Sequence, residues 1–364
     1  MPAELASERS LADLIDMQIR ANGPISVAAY MALCLTHPSK GYYKKSDPLG
    51  VKGDFTTAPE ISQMFGELIG FFFVNIWQQL GEPDRFTLLE LGPGRGTLMA
   101  DMLRVASRAP GFLDALHLRL FETNPILIGE QKARLRPFGT QWISSLNELG
   151  SGPLLIVANE FFDALPVRQF VKAEDGWHER MVGLKDDRRA FGLSPTPLPE
   201  NILPGTIRGA SVGSVYEVSP AATQISTVLN RAVAERRGAI LAIDYGYVGP
   251  QAGETLQAVS QHAYADPLES PGEVDLSAHV DFGALMSTAF ETGLIAHPVT
   301  SQGTFLRALG IAERAHVLRS ANPQAASEID GSLNRLIGDD EMGKLFKVYC
   351  ATSPGLSPAG FGRD

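Results

Sequence analysis

Cysteine is nearly missing: Cys34 and Cys350 are the two thiols in a chain of 364 residues. Two residues so far apart exclude a disulfide framework and a zinc ribbon, and both sit among apolar neighbours that suit small buried side chains. Long apolar runs are missing as well. The longest, Leu68 to Trp77, falls far short of the roughly 20 residues of a membrane-spanning helix, so no membrane span is expected. Positive charge is in deficit, with 31 Lys and Arg against 41 Asp and Glu, a net charge of −10. That balance disfavours a grip on phosphate backbones and excludes nucleic acid as the main partner. Met1 to Glu8 carry acids and no apolar segment. Neither a secretory signal nor an Arg-rich transit peptide is expected there, and a cytoplasmic location follows. Seven histidines without an H-E-x-x-H pair argue against a metal site, and the lack of G-x-S-x-G argues against an α/β hydrolase.

What remains is the composition of a core-forming globular chain, 44 % hydrophobic and 20 % charged with mean hydropathy near zero. Apolar spacing predicts two helices over 8–37, broken at Gly23-Pro24 and restarted by Ser26 as N-cap, and a third over about 59–80. From Phe86 strands alternate with helices, the rhythm of a parallel sheet. Strands are predicted at 87–91, 118–122, 141–143, 154–159, 240–244 and 345–351, with helices near 97–108, 221–236, 281–292 and 302–338. Between Val167 and Ser214 two strand-like segments flank Asp175-Gly176, a hairpin signal that reads as an inserted β-element. The expected organisation is an N-terminal helical cover with a lid loop over 1–82, an α/β domain over 83–352 interrupted at about 167–214, and a flexible tail over 353–364.

The strongest chemical signal is Glu90-Leu91-Gly92-Pro93-Gly94-Arg95-Gly96 between a strand and a helix. Such a turn brings backbone close to a ligand. The spacing is G-x-G-x-G rather than G-x-G-x-x-G, and no Lys-Ser/Thr follows, so a P-loop is excluded. Glu90 would be a poor neighbour for a pyrophosphate and a good one for an ammonium group. S-adenosylmethionine, with an ammonium, a sulfonium and no phosphate, fits better than a dinucleotide. Glu122, at the end of the next strand, is placed to accept ribose hydroxyls. Trp142 suits either stacking on the adenine or packing in the core. Asp54, Thr56 and Glu60, ahead of a helix, suit either a lid over the cofactor or an N-capping loop. A second constellation, Asn159-Glu160-Phe161-Phe162-Asp163, follows the fourth strand, where open α/β sheets place ligands. Glu160 and Asp163, with Asn159, would orient a guanidinium or amine by charge-assisted hydrogen bonds.

Three blocks carry a resemblance: Gly53 to Glu67, Glu90 to Gly96 and Asn159 to Pro166, extended by Asp275 to Phe282 and Thr300 to Leu306. Together they resemble the MidA-like S-adenosylmethionine-dependent methyltransferases, a family that includes a mitochondrial complex I assembly factor, a protein arginine methyltransferase. The resemblance covers about residues 10–352, with Ala58 and Ser301 as mild departures. It implies an α/β fold: a seven-stranded Rossmann-like methyltransferase sheet with a helical N-terminal extension and an inserted β-element. It implies cofactor positions at Gly92, Gly94 and Glu122, and symmetric dimethylation of an arginine on a core hydrophilic complex I subunit during assembly. The mitochondrial matrix is the location it implies for organellar relatives. A non-catalytic assembly chaperone and a small-molecule methyltransferase are the alternatives.

Overall fold

Seven strands carry the α/β rhythm: β1 (Phe86–Leu91), β2 (Leu116–Phe121), β3 (Gln141–Ile143), β4 (Leu154–Asn159), β5 (Gly238–Tyr247), β6 (Ile295–Ala296) and β7 (Phe346–Thr352). In this computed structural model, which describes residues 9–44, 57–260 and 263–362, they lie in the order β6-β7-β5-β4-β1-β2-β3. Strands β1 to β5 are parallel, and β7 runs antiparallel to both β5 and β6. The chain leaves β1 in one direction for β2 and β3 and returns on its other side as β4. The order therefore reverses between β1 and β4, where doubly wound sheets open a ligand crevice. Every residue of β1 and β4 is buried, as expected of parallel strands covered on both faces. The Rossmann-like sheet implied by the sequence is present.

The chain divides into two compact units. The sheet belongs to the unit made of 56–162, 225–248 and 282–364; the other takes 1–55, 163–224 and 249–281. This differs from a simple N-terminal cover followed by one domain. The helices Leu11–Asn22 and Val27–Thr36 belong with the inserted strands, whereas the helix from Gln63 belongs with the sheet.

In the sheet unit, Phe65, Ile69, Phe72 and Ile76 of the helix Gln63–Gln79 share one core with Met99, Met102 and Leu103 of the helix Thr97–Ala106 and with Leu88, Leu118 and Leu155 of the sheet. Each such buried side chain contributes about 1.5–3 kcal/mol. Gly66 and Gly70 let the two helices touch: a Cβ on Gly70 would stand 2.6 Å from the Met102 carbonyl oxygen. The single helix expected over 59–80 is two, Ala58–Ile61 and Gln63–Gln79, because extended Ser62 interrupts it and its side chain accepts from Met64 N. The C-terminal segment is not a frayed tail through Phe361. Leu356 and Phe361 are buried in this core, and Phe361 packs on Phe305 with ring centroids 5.3 Å apart. Cys350 is buried here, its thiol pushed up by desolvation.

In the other unit, Ser10 and Asp13 form a capping box on Leu11–Asn22, and Ser26 caps Val27–Thr36 as predicted. The expected hairpin is Arg168–Ala173 with Gly176–Lys185, extended on one side by Val215–Val218 and on the other by Ile25–Ser26, with Arg188–Leu193 also paired to Gly176–Lys185. Gln257–Ser260 lies between Ala263–Ala265 and Asp275–Ser277 in a second small sheet. Ile15, Tyr30, Met31, Cys34, Val182 and Leu276 share its core; burial pushes the Cys34 thiol up to about 11. Among the described residues no helix is long and apolar enough to cross a membrane.

One buried charge ties the sheet unit's helices together. Glu67, 4 % exposed, accepts from Arg314 Nε at 2.6 Å and Nη2 at 2.9 Å, and from Arg104 Nη1. Burial raises its carboxyl, but the two guanidinium groups outweigh burial and hold it below the ordinary value. A depressed carboxyl stabilises the fold above its unfolded pKa and loses that contribution as pH falls through the folded value. Glu67→Gln is expected to cost about 2–3 kcal/mol near neutral pH. In urea unfolding at several pH values the gap from the parent chain should close as the medium becomes acidic.

Candidate functional site

The C-terminal ends of β1 to β5 supply the site. Strand side chains alternate, so Glu90 points to the same face as Leu88, which is core. Its strand neighbours in register are Leu120 and Val157. Glu90 is 2 % exposed and its Oε2 has no hydrogen-bond partner among the described residues. Desolvation pushes this carboxyl up to about 8. A buried polar atom without a partner costs free energy unless a ligand meets it.

The turn after β1 bends through Gly92, Gly94 and Gly96, all with φ between 52° and 77°. Gly92 is required twice over, since a Cβ there would also come 3.1 Å from Phe161 Cδ2. Gly96 caps the helix Thr97–Ala106, whose first turn presents backbone N–H groups. Beyond β2, Glu122 Oε1 accepts from Thr123 N and Asn124 N, both at 2.7 Å. Asn124 in turn caps the helix Pro125–Arg134 through Ile126 N at 2.8 Å. Trp142 of β3 packs against the core, donates from Nε1 to Gln131 Oε1 at 2.7 Å and carries Lys132 Nζ 5.4 Å from its ring centre.

At β4 the chain turns sharply. Glu160 adopts φ 50°, a left-handed conformation costing about 1–2 kcal/mol for a residue with a Cβ. Asp244 of β5, fully buried, holds the turn: its Oδ2 accepts from Phe161 N at 3.2 Å and Phe162 N at 3.0 Å, and its Oδ1 from Tyr245 N at 3.0 Å. Glu160 Oε1 accepts from Asn159 Nδ2 at 3.1 Å and from Ala58 N at 3.2 Å. Glu60, on the same short helix as Ala58, accepts from Thr97 Oγ1 at 2.5 Å. Residues Ala58 to Glu60 are thus pinned between the β4 turn and the helix that follows the glycine loop.

Of the residues expected from the sequence, Glu60, Glu90, Gly92, Gly94, Gly96, Glu122, Asn159 and Glu160 gather at this edge, with Trp142 behind it. Asp54 and Thr56 lie outside the described residues. Asp163 falls in the other unit, where its carbonyl accepts from Ala278 N at 3.0 Å. Burial, with Asp275 and Asp163 nearby, pushes the Tyr43 phenol up in that unit. Sequence reasoning missed Gln131, and it placed Asp244 only as the last residue of the predicted strand 240–244. Among the described residues no group of three His, Cys, Asp or Glu is arranged for a metal ion.

An orphaned buried carboxyl below a glycine turn, with a second carboxylate at the next strand end, suits the ammonium and ribose of S-adenosylmethionine. Fold and site define a methyltransferase that uses this cofactor. The chain belongs to the S-adenosyl-L-methionine-dependent methyltransferase family, whose model matches residues 68–300. It is 36 % identical over 377 residues to mouse "Protein arginine methyltransferase NDUFAF7, mitochondrial", covering 96 % of this chain and 85 % of that one. The Caenorhabditis elegans homolog of that protein is 34 % identical, covering 92 % and 84 %. A solved structure from Burkholderia thailandensis, bound to S-adenosyl-homocysteine, is similar with a TM-score of 0.85 at 28 % identity, covering 100 % of this chain and 97 % of that one. The cytoplasmic location expected from the sequence is corrected by the animal relatives, which are named mitochondrial.

Glu90 generates a test. In the folded chain its raised pKa keeps the proton at pH values where the unfolded chain has lost it, so stability is lost as pH rises from about 4.5 through about 8. Glu90→Gln is expected to remove a slope of up to about 1.4 kcal/mol per pH unit across that window. It should also weaken S-adenosylhomocysteine binding, measured by titration calorimetry, about tenfold or more. A removed slope together with unchanged affinity would show the carboxyl to be ordinary core.

Proposed function

We propose that this chain transfers a methyl group from S-adenosylmethionine to a guanidinium nitrogen of an arginine in a protein, a core hydrophilic subunit of respiratory complex I during its assembly. The names of its relatives support the acceptor class. The observation that carries the reading is the Glu160 carboxylate, fixed at the end of β4 and followed by Phe161, which lies against Gly92. The net charge of −10 suits a cationic acceptor.

In this reading Glu90 faces the cofactor's ammonium, the backbone of Gly92, Gly94 and Gly96 borders it, Glu122 takes the ribose hydroxyls and Glu60 closes the loop side. When bound, the cofactor supplies a methyl carbon on a sulfonium, whose C–S bond breaks as the N–C bond forms. Glu160 accepts hydrogen bonds from the guanidinium, aims one nitrogen, and receives the proton that this nitrogen sheds. Asn159 Oδ1 is buried and has no hydrogen-bond partner among the described residues; it accepts a second N–H of the acceptor. Methyl transfer needs little beyond alignment and charge, which is what these groups supply.

Extract from cells lacking this chain, incubated with the purified protein and labelled S-adenosylmethionine, tests the reading. One labelled protein is expected, identified by mass as a complex I subunit carrying methylated arginine. Glu160→Gln should lower its labelling about 100-fold or more while S-adenosylhomocysteine affinity stays within about threefold. Label on a small molecule would overturn the protein acceptor. Complex I assembly that persists with Glu160→Gln despite lost labelling would place the assembly role in binding rather than chemistry.

A further inference from the structure

Gln131 is fully buried in the middle of the helix Pro125–Arg134, with no charge and no place in the chemistry above. Its amide makes two bonds in opposite senses. Nε2 donates to the Gly94 carbonyl oxygen at 2.6 Å, and Oε1 accepts from Trp142 Nε1 at 2.7 Å. The indole N–H donates only and a carbonyl oxygen accepts only, so the amide has a single orientation that satisfies both. The stem of the same side chain fills the space beside the loop, since a Cβ on Gly96 would meet Gln131 Cγ at 3.3 Å.

We infer that Gln131 is a positioning residue for the cofactor: anchored on Trp142, it clamps the Gly94 carbonyl and so fixes the face that the glycine loop turns to S-adenosylmethionine. The link is peptide geometry. The Gly94–Arg95 peptide is planar and trans, so its C=O and N–H point in opposite directions. Holding the Gly94 oxygen towards Gln131 directs the Arg95 N–H to the other side. A second bond, from Gly96 N to the Pro93 oxygen at 2.7 Å, closes the turn around that fixed plane. Glycines at φ 52° to 77° have many other conformations available, which the ligand would otherwise have to restrict on binding. In this arrangement Trp142 serves cofactor binding through its edge, by holding Gln131.

Three variants separate the two bonds. Gln131→Met keeps the volume and loses both bonds. Trp142→Phe keeps the bond to Gly94 and loses the anchor. Gln131→Glu keeps both only while its carboxyl is protonated, when the acid O–H donates to Gly94 and the other oxygen accepts from Trp142. Charged groups near this pair include Lys132, over the Trp142 ring, Arg119 and Glu148, which line one pocket with Trp142, and Arg95 with Glu130, 3.7 Å apart, each adjacent in sequence to a residue of the clamp. The readouts are the S-adenosylhomocysteine dissociation constant by titration calorimetry and the melting temperature, each relative to the parent chain at the same pH. Gln131→Met is expected to raise the dissociation constant about tenfold or more, and Trp142→Phe about threefold, from the loss of hydrogen bonds worth this much. Gln131→Glu should bind almost like the parent chain at mildly acid pH and like Gln131→Met at alkaline pH. A structural brace with no part in binding would lower the melting temperature in all three and leave the dissociation constants within twofold, which would overturn the inference. If Gln131→Met does not fold, the acid-to-alkaline change in Gln131→Glu decides alone: its presence supports the clamp, and its absence overturns it.

Discussion

A carboxyl group shut inside a fully buried strand, with one oxygen unmatched by any described hydrogen-bond donor, sets the terms for the sheet unit. Glu90 occupies a position whose strand neighbours are Leu120 and Val157, and an apolar side chain there would cost nothing. The protein tolerates it because β1 lies at the centre of the sheet, between β2 and β4, under a large core of Phe, Leu and Met side chains. The same central placement makes Glu90 useful. It stands directly below the glycine turn, at the point where the strand order reverses, so a cation settling on the turn meets a carboxyl that has no other described donor on Oε2. In the proposed reading stability and cofactor binding pull this residue in opposite directions, with the surrounding core bearing the difference.

The turn proposed to meet the acceptor works by a different principle. There the carboxylate of Glu160 is well provided with donors, and the strain is in the backbone. A left-handed glutamate persists only when its surroundings over-determine it. Asp244 does this from the neighbouring strand with bonds to Phe161 N and Phe162 N, while Glu160 N donates to the Ile243 oxygen at 2.9 Å. The turn is therefore written by β5 as much as by β4, and a rigid sheet rather than a loop aims the Glu160 side chain.

This explains which parts of the site were legible in the sequence. Glu90, the three glycines and Glu122 follow from strand–turn–helix spacing, a local signal, as do the capping serines Ser10 and Ser26. Asn159 and Glu160 were legible for the same reason, since they sit where a predicted parallel strand must end. Gln131 and Asp244 act on residues 37 and 83 positions away, and a glutamine inside a helix or an aspartate at a strand end carries no local mark of such a partner. The interruption at Ser62 was hidden by a continuous apolar pattern on either side of it. The burial of Leu356 and Phe361 was hidden because a polar, Gly- and Pro-containing segment reads as tail until the surface it meets is known. The grouping of the first helices with the inserted strands is likewise a non-local fact, recorded in shared burial of Ile15, Met31, Val182 and Leu276 and in no motif.

The glycine loop itself is the meeting point of these long-range restraints. Glu60 holds Thr97 at the start of its helix, Gln131 holds Gly94 from below, and Gly66 and Gly70 let a neighbouring helix bear directly on Asp101 and Met102. A loop of three glycines left to itself would be the most mobile part of the sheet's edge, and ordering it would subtract from the affinity of any ligand. Here the ordering is accomplished by folding, with side chains from two helices and the close backbone approach of a third. Gly92, where a Cβ would meet Phe161, then joins this prepared surface to the turn that carries Glu160. In the proposed reading the donor and acceptor halves of the methyl transfer are both placed by one edge of the sheet, and in-line displacement requires that fixed relation above all.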